Sequence, residues 1–160
     1  MAAIKILVRV TKDIGHEVPG PIKQGKQFLF TNDLVLEAYD GNTPGNGLPQ
    51  NEQQRRAGTH SGVVTLVRVA EAGDLFFPVP SLLFQYEATY KFNDLANTPL
   101  RKGQVTGHGL FLIDNVNDFN PLEQPIRFAI TGGTDVYVTA RGQITEGQPN
   151  PQNRRLDIQV

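Results

Sequence analysis

The sequence predicts an all-β fold, an eight-stranded antiparallel β-barrel, and three observations support this prediction. Valine, isoleucine and threonine number 14, 9 and 12 among 160 residues, against 10 alanines, and these residue types favour strands over helices. Apolar side chains recur with a period of two, whereas no segment of ten or more residues keeps the apolar stripe of a helix. Clusters of glycine, proline, asparagine and aspartate separate the apolar segments, as antiparallel connections require.

The clearest strands lie at 84–92 and 104–113. One face of each carries the apolar side chains and glycines, at Phe84, Tyr86, Ala88, Tyr90 and Phe92 in the first strand and at Val105, Gly107, Gly109, Phe111 and Ile113 in the second. The same reasoning predicts six further strands, at 4–10, 28–37, 58–69, 126–131, 135–145 and 154–159.

Glycines inside these strands favour a closed barrel over a sandwich. Gly62, Gly107, Gly109 and Gly142 interrupt apolar segments, where glycine marks a sharp bend or a close approach of two backbones. A small barrel needs such positions at its corners. The whole chain, 1–160, is therefore predicted to be one barrel domain.

Two long connections leave this barrel. Residues 40–56 are polar and rich in glycine, which predicts a flexible loop. Residues 71–81 include the adjacent Phe76 and Phe77, which are expected to cover the barrel mouth, a ligand or another subunit, or to fold over the core of their own barrel. Both segments are candidates for a lid.

The charge and cysteine content exclude several classes of function. The formal net charge is -1, from 15 basic and 16 acidic residues, so neither nucleic acid nor an anionic membrane is an expected partner. The absence of cysteine excludes thiol catalysis and cysteine-bound zinc. No targeting signal or apolar span is found, and we expect a cytoplasmic protein.

Familiar catalytic motifs are missing. Ser61 and Ser81 do not lie in a nucleophile elbow, and the three histidines lack metal-ligand spacing. Strand parity places His60 on the same face as Val64 and places His108 on the other face, so the expected roles are a surface histidine or a hydrogen-bonded core histidine. No metal or cofactor is predicted, and 132–134 is interpreted as a tight turn rather than a phosphate loop.

Six short segments, in the same order along the chain, resemble allene oxide cyclases, and one of them also resembles dirigent proteins. They are Phe30-Thr31-Asn32, Arg56-Ala57-Gly58-Thr59-His60-Ser61-Gly62, Tyr86-Glu87-Ala88-Thr89-Tyr90, Gln104-Val105-Thr106-Gly107, Phe128-Ala129-Ile130-Thr131-Gly132-Gly133-Thr134 and Ala140-Arg141-Gly142-Gln143-Ile144. The resemblance implies an eight-stranded barrel, often trimeric, whose cavity binds an apolar reactive molecule and guides its cyclisation or coupling without a cofactor.

The residues that match the family's site are only partly kept. Asn32 and Tyr86 match an asparagine and an aromatic residue of the cavity, whereas Val64 stands in place of a cysteine and Gly109 in place of an aromatic residue. The family's first-strand glutamate and a nearby asparagine are replaced by Val10 and Lys12, with Asp13 or Glu17 as possible substitutes for the missing acid. The resemblance therefore implies a related natural-product cyclase rather than an allene oxide cyclase.

Parity and resemblance together predict the site. The predicted catalytic residues are Asn32, Tyr86, Tyr90 and Arg68, the last at the barrel mouth or, alternatively, paired with an acid on the surface. The predicted substrate-binding residues are Phe30, Leu34, Val64, Leu66, Phe92, Phe111, Ile113, Phe76 and Phe77.

The predicted function is a cofactor-independent cyclase or isomerase that folds a polyene or polyketide-like intermediate for ring closure, such as a cycloaddition. The alternatives are a dirigent-like binding protein, which orients a reactive species made by another enzyme, and a structural module with a packed interior. The expected partners are an apolar small-molecule substrate and further copies of the chain, in a homodimer or homotrimer.

Overall fold

Eight strands close into one antiparallel barrel in the computed structural model, which describes residues 3–71, 73–77, 81–114, 125–147 and 150–160, without the side chains of 12–14 and 16. The order around the barrel is β1-β10-β9-β8-β7-β6-β5-β2, and β3 and β4 form a separate short pair. The predicted fold class is confirmed. The strands are β1 (Ala3–Glu17), β2 (Gln27–Tyr39), β3 (Thr43–Pro44), β4 (Gly47–Leu48), β5 (Arg56–Ala70), β6 (Ser81–Phe92), β7 (Gly103–Ile113), β8 (Ile126–Gly133), β9 (Arg141–Glu146) and β10 (Asn153–Gln159).

The strand predicted at 135–145 begins later than expected, at Arg141. Asp135 has a φ of 55°, in the left-handed region, and opens a single turn of 3-10 helix that ends at Tyr137. The hydroxyl of the buried Tyr137 donates a hydrogen bond to the Arg101 carbonyl, with 3.2 Å between the two oxygens. This contact fixes the turn against the neighbouring connection, and the extended backbone resumes only after it.

One end of the barrel is plugged by apolar side chains. Leu48, Phe92, Leu100 and Tyr137 are all buried there, and the rings of Phe92 and Tyr137 lie 5.8 Å apart. We call these four residues the plugged end. Phe92 is the last residue of β6, and the other three lie in connections between barrel strands. The hydrophobic core therefore continues past the strands and closes the barrel on this side.

The segment 40–56, predicted to be flexible, is anchored to this end. Besides β3 and β4 it contains a 3-10 turn at Glu52–Arg55. The Arg55 side chain is buried, and its Nη1 donates to the Leu36 carbonyl at 2.7 Å and contacts Glu37 Oε1 at 3.2 Å. These contacts hold the segment on the barrel although its composition is typical of a loop.

The opposite end holds a second buried apolar cluster, and several partly exposed apolar side chains pack beside it. The buried members are Leu66, Leu82, Phe84 and Ile113. Phe28, Phe30, Val64 and Phe111 pack on the core without being buried, and we call these four residues the aromatic mouth. The connection 71–81 starts at this end, and its Phe76, which is 81% exposed, does not cover the barrel interior. Residues 78–80 of this predicted lid lie outside the described residues.

A β-bulge in β5 changes which side chains face the interior. The register shifts between Leu66, opposite Phe84, and Arg68, opposite Leu83. The extra residue, Val67, reverses the alternation of the two faces. Leu66 is consequently buried, whereas Arg68 lies on the outside and differs from the interior position expected from parity.

Strand glycines are located at close approaches, as predicted. A Cβ on Gly142, whose φ is 140°, would collide with the Asp157 carbonyl oxygen of β10. We expect Gly142→Ala to lower the free energy of unfolding by about 3 kcal/mol, measured by urea denaturation. Gly15→Ala is the control, because a Cβ there meets nothing within 4 Å; equal losses in the two variants would contradict the explanation.

Candidate functional site

A continuous chain of polar side chains crosses the barrel interior. Asn32 Nδ2 lies 3.2 Å from His60 Nδ1, and His60 Nε2 lies 2.7 Å from the Tyr86 hydroxyl. The Tyr86 and Tyr90 hydroxyls are 3.0 Å apart, and Tyr90 reaches Glu146 Oε1 at 3.4 Å. We call these five residues the polar chain. They come from β2, β5, β6 and β9, which the barrel closure brings together.

An ion pair ends the polar chain. Arg154 Nε lies 2.9 Å from Glu146 Oε1, and the two side chains are only 15% and 12% exposed. Arg154 Nη1 also donates to the carbonyls of Pro151 and Asn153, at 2.6 and 3.0 Å. The guanidinium thus compensates the carboxylate and fastens the connection between β9 and β10.

Burial keeps the ring groups of the polar chain neutral. Desolvation, with a smaller contribution from the positive charge of Arg154, lowers the pKa of His60 to about 3. Desolvation also raises the pKa of Tyr86 and of Tyr90 well above the usual value for tyrosine. At neutral pH this part of the site therefore holds an uncharged imidazole and two protonated phenols.

Aromatic rings surround the polar chain. The Tyr86 ring stacks on Phe128, with centroids 3.9 Å apart, and lies parallel to Phe30 at 5.9 Å. Phe30 also contacts the His60 ring at 4.8 Å, and Phe111 meets Phe128 edge to face at 6.1 Å. The aromatic mouth and the polar chain are therefore contiguous.

Most of the residues predicted to line the interior do lie there. Asn32, Tyr86 and Tyr90 come together in the polar chain, while Phe92 packs at the plugged end. The interior residues among those predicted are Phe30, Asn32, Leu34, Val64, Leu66, Tyr86, Tyr90, Phe92, Phe111 and Ile113.

Arg68, Phe76 and Phe77 form a separate cluster outside the barrel. Arg68 Nη2 lies 2.7 Å from Asp74 Oδ2, and its guanidinium is 4.9 Å from the centre of the Phe77 ring. Backbone N–H groups of Phe76 and Phe77 donate to the other Asp74 oxygen. The surface arginine paired with an acid, the alternative for Arg68, is what the structure shows.

The interior carboxylate comes from the last part of the chain rather than from the first strand. Val10, which the resemblance matched to a glutamate, is buried in the core. Glu17 is exposed and pairs with Lys26 at 2.8 Å, and the side chain of Asp13 lies outside the described residues. Glu146 is the acid that reaches the polar chain.

Three residues of the site were missed by sequence reasoning: His60, Glu146 and Arg154. Parity did place His60 on the face of Val64, and it is 2% exposed, which fits the hydrogen-bonded core histidine. His108 lies on the outer face, as parity predicted, with its side chain 48% exposed. Extending the alternation of Ile144 by one step would have pointed Glu146 inward, but the predicted strand stopped at 145.

Two grooves lie on the outer wall, away from the polar chain. The larger, of about 890 Å³, has mixed charge from residues such as Lys5, Arg127 and Asp157. The smaller, of about 450 Å³, lies over Gly62 and Gly107.

Within the described ranges, no three histidine or acidic side chains converge as metal ligands, and no helix is long and apolar enough to cross a bilayer.

Among solved structures, pyocyanin demethylase is similar to this barrel over nearly the whole of both chains. The superposition has a TM-score of 0.56, covers 99% of this chain and 100% of the other, and has 17% sequence identity. At that identity the likeness shows a shared fold alone. No protein-family model and no curated protein matches the sequence.

Proposed function

We propose that the barrel takes up an apolar, conjugated small molecule through the aromatic mouth and promotes its intramolecular ring closure without a cofactor. The observation that carries this proposal is the contact between the mouth and the polar chain, where Phe30 touches both His60 and Tyr86. Pyocyanin demethylase, by its name an enzyme that acts on pyocyanin, has a similar barrel, which supports the binding and modification of a small molecule on this fold.

Confinement is the proposed source of the acceleration. A cycloaddition turns π bonds into two carbon–carbon σ bonds and neither releases nor takes up a proton, so it needs no strong acid or base. Fixing a flexible polyene in a reactive conformation can lower its barrier by several kcal/mol, on the order of what effective molarities allow. The stacked rings of Tyr86 and Phe128 provide a rigid wall for this purpose.

The second candidate function is a dirigent-like protein that binds and orients without accelerating the reaction. The observation that favours it is that the hydroxyls of Tyr86 and Tyr90 bond to each other and to neighbours in the polar chain. Groups engaged in this way do not polarise a ligand unless an existing hydrogen bond breaks.

Binding is tested with the fluorescent apolar probe N-phenyl-1-naphthylamine. We expect saturable fluorescence enhancement, and about tenfold weaker binding in Phe111→Ala, because the wall of the mouth loses its ring. The control is Leu110→Ala, the neighbouring residue on β7, which is 57% exposed and faces outward. Equal affinities in the two variants, or no saturable enhancement, would rule out the mouth as the binding site.

Catalysis is tested with linear polyenes that carry an activated terminal alkene and cyclise slowly alone. Loss of polyene absorbance is followed with wild-type protein, with Phe111→Ala and without protein. We expect acceleration by the wild type and about a tenfold smaller rate in Phe111→Ala. Rates equal to the protein-free reaction, despite binding, would exclude the cyclase and support the orienting protein.

A further inference from the structure

The polar chain has one donor group for each of its four hydrogen bonds. Its four links join Asn32 to His60, His60 to Tyr86, Tyr86 to Tyr90, and Tyr90 to Glu146. The available donors are the Asn32 amide, one ring N–H of a neutral histidine and the two phenol hydroxyls. Each link must contain one proton, since two facing lone pairs would repel each other.

The carboxylate fixes the position of every proton. Glu146, paired with Arg154, only accepts, so the Tyr90 hydroxyl must donate to it. The Tyr86 hydroxyl then has to donate to Tyr90, which leaves His60 Nε2–H as the donor to Tyr86. His60 Nδ1 becomes the acceptor of the Asn32 amide N–H, in agreement with the placement of Nδ2 at 3.2 Å.

We infer that all hydrogen bonds of the polar chain run from Asn32 towards Glu146, with His60 as the Nε2–H tautomer, and that the chain selects a ligand bearing a hydroxyl or N–H donor. Each of the two phenol hydroxyls already donates its hydrogen within the polar chain, so its oxygen can only accept a further hydrogen bond. A ligand carbonyl would find no donor among these three rings, whereas a ligand hydroxyl would find acceptors. The ligand class rests on the proposed function; the direction of the hydrogen bonds does not.

Glu146 is thus a positioning residue, because it acts on the ring groups through Tyr90. Its carboxylate and the Arg154 guanidinium are the partly exposed members of the site, whereas His60, Tyr86 and Tyr90 are buried. Arg154 Nε contacts the Glu146 carboxylate as an ion pair, and Nη1 donates to the Pro151 and Asn153 carbonyls. A polar group that enters at this end meets an ion pair rather than a lone carboxylate, so the inferred ligand preference rests on the three ring groups.

The direction is tested by ¹⁵N NMR of the histidine rings at pH 7. We expect His60 as the Nε2–H tautomer. We expect Tyr90→Phe to convert it to Nδ1–H, because the Tyr86 hydroxyl then turns to His60 Nε2 and the Asn32 amide turns its oxygen towards Nδ1–H. Tyr39→Phe is the control, since its hydroxyl bonds to the Asn97 carbonyl outside the polar chain. An Nδ1–H tautomer in the wild type, or no change in Tyr90→Phe, overturns the inference.

The ligand class is tested with β-ionol and β-ionone, an alcohol and a ketone on one carbon skeleton, by displacement of N-phenyl-1-naphthylamine. We expect β-ionol to bind about tenfold more tightly. Equal affinities, or tighter binding of the ketone, overturn the inferred ligand class and leave the proposed function standing. Binding of neither compound rejects the proposed function and the ligand class together, while the NMR result still decides the direction.

Discussion

Arg154→Met is expected to lower the free energy of unfolding by about 3 kcal/mol. The substitution leaves the Glu146 carboxylate largely buried without its partner at 2.9 Å, and it removes the hydrogen bonds to Pro151 and Asn153. Urea denaturation at pH 7 measures the loss.

The neighbouring arginine provides a matched control for this prediction. Arg155 is 59% exposed, so Arg155→Met is expected to change stability by less than about 0.5 kcal/mol. The double variant Glu146→Leu with Arg154→Met should recover most of the loss, because removing both charges leaves neither one uncompensated. A loss in Arg154→Met no greater than in Arg155→Met would show that the ion pair does not stabilise the fold.

Acidification is expected to destabilise the protein through His60. The folded state keeps this ring neutral down to a pKa of about 3, whereas the unfolded chain protonates it near 6.5, so the unfolded state binds more protons between these values. The contribution of His60 to the free energy of unfolding is then fully present above pH 6.5. Below pH 6.5 the free energy of unfolding falls by about 1.4 kcal/mol per pH unit, and the fall levels off near pH 3. Urea denaturation between pH 7 and 5 detects this slope above the range where carboxylates titrate.

His60→Gln should flatten the stability profile between pH 7 and 5, since glutamine does not titrate. His108→Gln is the matched control: this histidine lies on the outer face of β7, and its removal should leave the slope in place. A wild-type profile that is flat in this window, or an equal slope in His60→Gln, would show that His60 takes up its proton without cost in the folded state.

The barrel was predictable because one face of each strand is apolar, and a period of two is the strongest signal that a half-buried strand leaves in a sequence. The position of Arg68 was not predictable in this way. A single extra residue, Val67, reverses the faces of β5, and a bulge depends on the pairing partner rather than on the strand's own residues. The turn at Asp135, which has a left-handed φ, was not predicted for a similar reason. It depends on a contact between residues distant in sequence, because the Tyr137 hydroxyl at the end of this turn bonds to the Arg101 carbonyl.

The site was predictable where the parity of a well-bounded strand was enough, as for Asn32, Tyr86 and Tyr90. Glu146 was missed because it is the last residue of β9, one step beyond the predicted strand. Arg154 was missed because it lies near the start of β10, where a charged residue is more often exposed than buried. Their pairing also depends on β9 and β10 being neighbours, which only the closed barrel establishes.

The plugged end places part of the hydrophobic core away from the aromatic mouth. Leu48, Phe92, Leu100 and Tyr137 hold this end together, far along the strands from Phe28, Phe30, Val64 and Phe111. We therefore expect sequence variation at the aromatic mouth to alter the proposed ligand binding while the fold persists. The same separation makes this chain a practical scaffold for directed evolution, with randomised positions confined to one rim and a stable foundation left intact at the other.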